Sequence, residues 1–278
     1  MLLVPADVLR PRRPDGHFAE EAAAAREAGL DVALVDHDAL ARPGGAARAV
    51  ARVTGGGEAV YRGWMLTADR YADFATALAQ RGVTLRTSPE RYRRAHELPS
   101  WYASLESVTP PSVWTRGAER GPFEEACARL GGGPAVLRDY SKSMKHHWDE
   151  AMFVPDVADV AAAWAVAARF RELREGDFTG GYVLRRYEKL TGTEVRTWWM
   201  RGECRLVGAH PDTPAGEAPS DVDVSGVAPM VAGLDLPFVT VDLARRADGV
   251  WRVVELGDGQ VSDLPPTIAP AALVAALR

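Results

Sequence analysis

The chain has 278 residues, of which 47% are hydrophobic and 26% charged, with a formal net charge of −5. A core is readily buried at this length, which favours one large or two medium domains, and an acidic balance without a basic tail argues against nucleic acid as the main partner. Cys127 and Cys204 form no CxxC pair that would read as a zinc site or disulfide framework, no apolar run approaches the ~20 residues of a membrane span, and the apolar part of MLLVPADVLRPRRP is too short for a signal peptide, so a cytoplasmic protein off the membrane is expected.

In chain order, Leu2 to Pro5 reads as a short buried strand. FAEEAAAAREA, from Phe18 to Ala28, reads as a helix stopped by Gly29, and Leu30 to Asp36 as the next strand. This strand–helix–strand unit implies a parallel sheet. A third strand is expected over Ala59 to Arg62. A helix then runs from an N-cap at Thr67 to a stop at Gly82, and Val83 to Thr87 makes a fourth strand. The first ~110 residues thus describe a small open α/β domain, and Pro110-Pro111 marks a joint.

Beyond the joint the pattern changes to α+β. A helix over Phe123 to Leu130 leads to a strand over Ala135 to Tyr140 and a polar loop, SKSMKHHWDE. A long helix is expected over Val157 to Arg174 and a strand over Tyr182 to Tyr187. Next come a hairpin of Glu194 to Trp199 with Cys204 to Ala209, a Pro- and Asp-rich loop, and a helix near Pro229 to Leu234. The chain closes on two strands joined by a tight Ala-Asp-Gly turn within Val239 to Pro265.

Four elements carry candidate chemistry. The last hairpin places Asp242 on one strand, Glu255 on the other and Asp258 in the loop that follows. Carboxylates converging from paired strands suit Mg²⁺, which takes oxygen ligands and substrate phosphates, although an ordinary hairpin with solvated acids has the same look. After the strand ending at Arg138, the loop carries Lys142, Ser143, Lys145, His146 and His147. Hydroxyls and lysines on a loop suit the β- and γ-phosphates of a nucleotide, and a solvated basic loop is the plain alternative. Arg185 and Arg186 alternate on a strand, so one faces each side, and an inward arginine needs an anion. Glu194 and Arg196 share a face as a salt bridge or as a ribose acceptor beside a phosphate clamp. In the first domain Arg62 ends a strand where open sheets bind ligands, with Trp64 as an apolar wall; it reads as a carboxylate-binding substrate residue or as a partner of Asp36 or Asp38. His96 and Trp101 read as packing at the joint. Of Trp198 and Trp199, one is expected in the core and the other on a cleft wall.

Taken together, YRGWML, YRRAHELPSWY, RDYSKSMKHHW, EVRTWW and ELGDGQVS resemble the ATP-grasp superfamily, and most closely its divergent clade named for two arginines and a lysine. The resemblance covers nearly the whole chain. It implies an ATP-grasp fold: an N-terminal open parallel-sheet domain over 1–112 and an ATP-grasp domain over 113–278, whose α+β subdomains at about 113–183 and 184–278 grip ATP. It makes Asp242 and Glu255 metal carboxylates, with Asp258 as a softer third, and Arg185 and Arg196 the clade's arginines aimed at phosphates. Glu188 falls at the hinge position that meets adenine or ribose. Arg138 stands where the nucleotide lysine usually sits, so Lys142 or Lys145 are alternatives for that role, and ELGDG replaces the usual Glu-x-Asn.

The activity implied is ATP- and Mg²⁺-dependent carboxylate–amine ligation. It proceeds through an acylphosphate to an amide or peptide bond, with ADP and phosphate released, on small-molecule or peptide substrates. A homodimer is one option for assembly. An ATP-binding assembly chaperone or protein-binding factor, or a kinase, is the alternative.

Overall fold

The computed structural model describes residues 1–212, 219 and 221–278. Part of the Pro- and Asp-rich loop, residues 213–218 and 220, therefore lies outside the described residues. The elements run β1 (Leu2–Pro5), α1 (Ala19–Glu27), β2 (Val32–Val35), α2 (His37–Leu40), α3 (Ala46–Ala49), β3 (Gly57–Tyr61), α4 (Ala68–Ala79), β4 (Val83–Leu85) and α5 (Pro89–His96). They continue with α6 (Leu98–Leu105), β5 (Ser112–Trp114), α7 (Arg120–Leu130), β6 (Ala135–Asp139), β7 (Phe153–Val154), α8 (Val160–Arg174) and β8 (Tyr182–Arg186). The chain ends with β9 (Leu190–Met200), β10 (Glu203–Ala209), α9 (Ala228–Ala232), β11 (Phe238–Arg246), β12 (Trp251–Asp258) and α10 (Pro270–Ala276).

The strands form three four-stranded sheets, ordered β2-β1-β3-β4, β5-β8-β6-β7 and β10-β9-β11-β12. The first is parallel, with Leu2 opposite Val32 and Val60, as the strand–helix–strand pattern requires. Its successive crossovers leave β1 in opposite directions, which puts a topological switch between β1 and β3. The second sheet is antiparallel throughout.

Chain contacts divide the molecule into two compact units. One comprises Met1–Ala95, Thr193–Leu243 and Glu255–Arg278; the other comprises His96–Gly192 and Ala244–Val254. In the first unit, the core on one side of the parallel sheet gathers Leu3, Val35, Tyr61, Tyr71, Phe74 and Leu78. A second cluster joins Leu2, Val4 and Phe18 to Trp198, Phe238 and Leu273. In the second unit, Phe123, Leu137, Phe170, Tyr182 and Leu184 pack together beneath α7 and α8.

Local chemistry explains the element ends. Thr67 caps α4 by accepting a hydrogen bond from the Arg70 N–H, as its position predicts. Asp36 and Asp159 cap α2 and α8 in the same way. The stretch expected as a plain polar loop after Arg138 is ordered further. A 3₁₀ turn over Lys145–His147 runs into a π-helical turn over Trp148–Met152. Three contacts hold it: His147 and Arg169 both engage Glu150, and Trp148 stacks on Phe153 with ring centroids 5.6 Å apart. Trp198 and Trp199 are both buried, so neither forms a cleft wall.

Candidate functional site

A polar cluster in the first unit is built on β9, β10 and β11. Arg196 on β9 holds Asp242 on β11 with both guanidinium edges, Nε to Oδ1 at 2.8 Å and Nη2 to Oδ2 at 2.9 Å. His210, just past β10, lies with Nε2 3.3 Å from Asp242 Oδ2 and 3.9 Å from Glu194 Oε1. Its Nδ1 accepts the Asp212 N–H at 3.2 Å, and its Nε2 also lies 2.9 Å from Arg196 Nη2. Burial alone would push the Asp242 carboxyl up, but the facing Arg196 charge, its hydrogen bonds and His210 outweigh it and hold the group well below the usual carboxylate range. Burial works to lower the Arg196 pKa, and Asp242, with smaller help from Glu255 and Glu194, reverses this and raises it. Asp242, Glu194, Glu255 and Arg196 therefore belong to one electrostatic unit.

The register of the β9–β10 hairpin creates this cluster. Cys204 pairs with Trp199 and Leu206 with Trp198, so Arg205 is left over in a bulge and every later pair shifts by one. A one-residue shift turns each following side chain to the other face. His210 thereby comes opposite Glu194, with its N–H on the Glu194 carbonyl at 3.0 Å. No motif in the sequence marks His210; its placement depends on that bulge.

The donor set fits a divalent cation on one condition. One ligand atom from each of Glu194, His210 and Asp242 can be chosen so that all three lie within 4.8 Å of one another. Hard carboxylate oxygens suit Mg²⁺. The condition is that Arg196 releases Asp242, since it now takes both oxygens.

Asp258, expected as a third carboxylate, is corrected to a structural role. It sits one residue out of phase with Glu255 and Gly257 on β12, so it points to the opposite face, and it is 1% exposed. There its carboxylate accepts the Gln260 N–H at 2.8 Å, capping a 3₁₀ turn, while Gln260 binds the Tyr71 hydroxyl at 2.8 Å. Burial pushes the Asp258 carboxyl up to about 7, against the hydrogen bonds from Gln260. Gly257 holds the position in phase with Glu255. A Cβ there would come within 3.1 Å of the Thr240 hydroxyl, which itself meets the Ser262 hydroxyl at 2.7 Å.

Arg62 and Glu188 are also corrected. Arg62 is 1% exposed; its Nε and Nη2 bind Glu21 at 2.6 and 2.8 Å, and its Nη1 binds the carbonyls of Gly259, Gln260 and Ser262. Every nitrogen is engaged inside the unit, so Arg62 pins α1 and the segment after β12 to the sheet and does not face a substrate. Its ion-pair partner is Glu21 on α1, and neither Asp36 nor Asp38. In the second unit, both oxygens of Glu188 are held by Arg252, at 2.9 Å each, so its carboxylate is not open to a ribose.

Trp64 and Glu255 lie in the first unit, and the expected phosphate residues Arg185, Arg138, Lys142, Ser143 and Lys145 in the second. Arg185 is buried, with Nη1 on the Val254 carbonyl at 2.6 Å and Nη2 on the Thr109 hydroxyl at 2.8 Å. Arg186 faces the other way and donates to the Leu130, Gly131 and Gly132 carbonyls at the end of α7, where a cation is favoured. Arg138 is buried on β6, whereas Lys142 and Lys145 lie on the loop beyond with Ser143, which is half-buried. Asp139, which no sequence pattern marks, fixes the start of that loop. Its Oδ1 accepts the Ser141 and Lys142 N–H groups at 2.8 and 2.6 Å, and its Oδ2 meets Arg174 at 3.0 Å.

Residues 129–277 match the model of an ATP-grasp domain family, the third family of the clade named for two arginines and a lysine. The chain belongs to this family. Comparison with curated proteins gave no match. Among solved structures, a RimK domain ATP-grasp protein from Sphaerobacter thermophilus DSM 20745 aligns with TM-score 0.64 at 16% identity, over 100% of this chain and 99% of that one. The D-cycloserine synthetase DcsG aligns with TM-score 0.61 at 18% identity, over 100% and 99%. The ATP-grasp ligase PsnB, solved with a phosphomimetic variant of its minimal precursor, Mg and ADP, aligns with TM-score 0.59 at 14% identity, over 99% and 95%. The ATP-grasp fold thus extends over the whole chain. Among the described residues, no helix is long and apolar enough to cross a membrane.

Proposed function

We propose that the protein is an ATP-dependent carboxylate–amine ligase that forms an amide or peptide bond through an acylphosphate and releases ADP and phosphate. The observation that carries this reading is the Arg196–Asp242–Glu194–His210 cluster, standing within a chain of ATP-grasp membership. The ligase names of DcsG and PsnB point the same way. On this reading residues 1–112 bind the acid or amine and 113–278 serve ATP, in the cytoplasm.

Asp242 and Glu255, with Glu194 beside them, would hold Mg²⁺, which supplies charge neutralisation at the phosphates when bound. Arg196, freed from Asp242, presents a planar two-pronged donor to phosphoryl oxygens, and its raised pKa keeps it charged throughout. Lys142 and Lys145 carry ammonium groups on a loop whose root Asp139 holds still. No serine or cysteine nucleophile is needed, because the substrate carboxylate itself attacks the γ-phosphate.

The test is product analysis. With Mg-ATP, a candidate acid and a candidate amine, chromatography should show ADP, phosphate and an amide in equal amounts. AMP with pyrophosphate would refute the acylphosphate route.

A further inference from the structure

The first unit contains a cavity of about 480 Å³ that the cluster around Asp242 does not use. It opens at the carboxyl ends of the parallel strands, where Pro5 ends β1, Asp36 follows β2 and Trp64 lies just past β3. That edge, beside the switch between β1 and β3, is where open α/β sheets collect ligands, and the volume is that of a small-molecule site.

The lining is charged with both signs. Asp7, Asp15, Asp36 and Asp38 face Arg42, Arg48 and Arg52 around it. Burial lowers the His37 pKa against the pull of Asp38 and Asp36, so that ring stays neutral near pH 7. Four carboxylates against three guanidiniums disfavour a polyanion such as a nucleotide. Part of the set is committed elsewhere. Asp7 caps its own loop, Asp36 caps α2 and lies 3.5 Å from Arg48, and Arg52 holds the Pro11 carbonyl at 2.6 Å. Asp38 and Arg42 have no ion-pair or side-chain hydrogen-bond partner among the described residues.

The cavity is also linked to the polar cluster of the same unit. Its Trp64 wall lies against His17, ring centroids 4.5 Å apart. His17 Nε2 meets Asp263 Oδ1 at 3.0 Å, and the Asp263 carbonyl accepts from Arg196 Nη1 at 3.3 Å. Two intervening residues therefore connect the cavity wall to the guanidinium that holds Asp242.

We propose that this cavity binds a free α-amino acid as one substrate of the ligation, with Arg42 taking its carboxylate, Asp38 its ammonium and Trp64 packing on its side chain. The assignment rests on the ligase reading for its role in turnover, but the binding itself does not need ATP. A zwitterion matches separated, unpaired charges of opposite sign, and removing either of its charges leaves one protein charge without a counterpart.

Isothermal titration of the full chain without nucleotide tests this, using a panel of free amino acids with their deaminated acids and decarboxylated amines as one-charge analogues. At least one amino acid should bind, and both of its analogues should bind at least ~10-fold more weakly. Arg42→Gln and Asp38→Asn should each weaken it by a similar factor, with the melting temperature and the Mg-ATP affinity unchanged. Equal binding of a one-charge analogue, indifference to both substitutions, or no amino acid binding by a chain that does bind Mg-ATP would overturn the assignment. A chain that binds amino acids but not Mg-ATP would overturn the ligase reading and leave the cavity assignment standing.

Discussion

Arg196 takes both carboxylate oxygens of Asp242, at 2.8 and 2.9 Å, so this carboxylate is closed to any cation until the arginine moves. Asp242 is 3% exposed, and an isolated buried carboxylate is costly. Arg196→Gln should therefore lower stability by about 3 kcal/mol in metal-free buffer. Adding Mg²⁺ or Mn²⁺ should restore more stability to this variant than to the wild type, because the cation then supplies the missing charge. Melting curves with and without metal check this; equal metal shifts in both proteins would separate Asp242 from metal binding. The sign in acid follows from the lowered Asp242 pKa: the pair contributes fully above the ordinary carboxylate range and is lost as pH falls below it.

Asp258 behaves in the opposite sense. Its carboxyl is raised from an ordinary value near 3.8 to about 7 by burial, so the folded protein holds a proton there that the unfolded chain gives up. The stability associated with that proton is complete below pH ~4 and is lost as pH rises through about 7. Asp258→Asn keeps the shape and removes the titration. It should melt some degrees above the wild type at about pH 8.5 and differ little at about pH 3.5. Turnover should survive, because Asp258 faces away from Glu255. Loss of turnover with an unchanged melting profile would return Asp258 to the metal site.

The parallel sheet, the hairpins and the helix caps are legible in the sequence because each depends on local pattern. Thr67 announces α4, and the run from Leu2 to Asp36 announces β1, α1 and β2. The α5, α6 and α10 helices are not announced in this way: α5 and α6 are short and lie in the aromatic- and arginine-rich stretch around Pro99, and α10 follows a proline-rich segment. Asp242, Glu194 and Arg196 stand out as candidates because strand alternation puts them on predictable faces. Their joining through His210 is not legible, since it depends on the bulge at Arg205. Arg62, Arg185 and Glu188 show the other limit. A buried charge needs a partner, but the sequence does not say whether that partner is a ligand or the chain, and here Glu21, the Val254 carbonyl and Arg252 fill the place.

Arg62 offers a sharp test of that distinction. It joins Glu21 on α1 to three carbonyls after β12 and lies over Trp198, 5.4 Å from the ring centroid. Arg62→Ala leaves Glu21 buried and charged with no counterion, which costs about 3–5 kcal/mol. Glu21→Gln in the same chain should recover part of that loss. Any activity still measurable below the new melting point should show an unchanged substrate KM. A large KM increase with unchanged stability would make Arg62 a substrate residue after all.

Glu255 stands apart from these structural ions. It is half-buried on β12, and its charge is felt by Arg196 without being the main partner of that guanidinium. Asp242 carries the ion pair with Arg196, so neutralising Glu255 leaves that pair intact. Glu255→Gln preserves volume and should shift the metal-free melting temperature by no more than ~2 °C. If Glu255 completes the cation site, the same substitution should lower kcat by at least ~100-fold, since the charge it provides is needed most as the phosphoryl group transfers. Metal affinity, read by Mn²⁺ titration, should fall alongside kcat. A variant that keeps wild-type kcat and Mn²⁺ affinity would place the metal on Glu194, His210 and Asp242 alone.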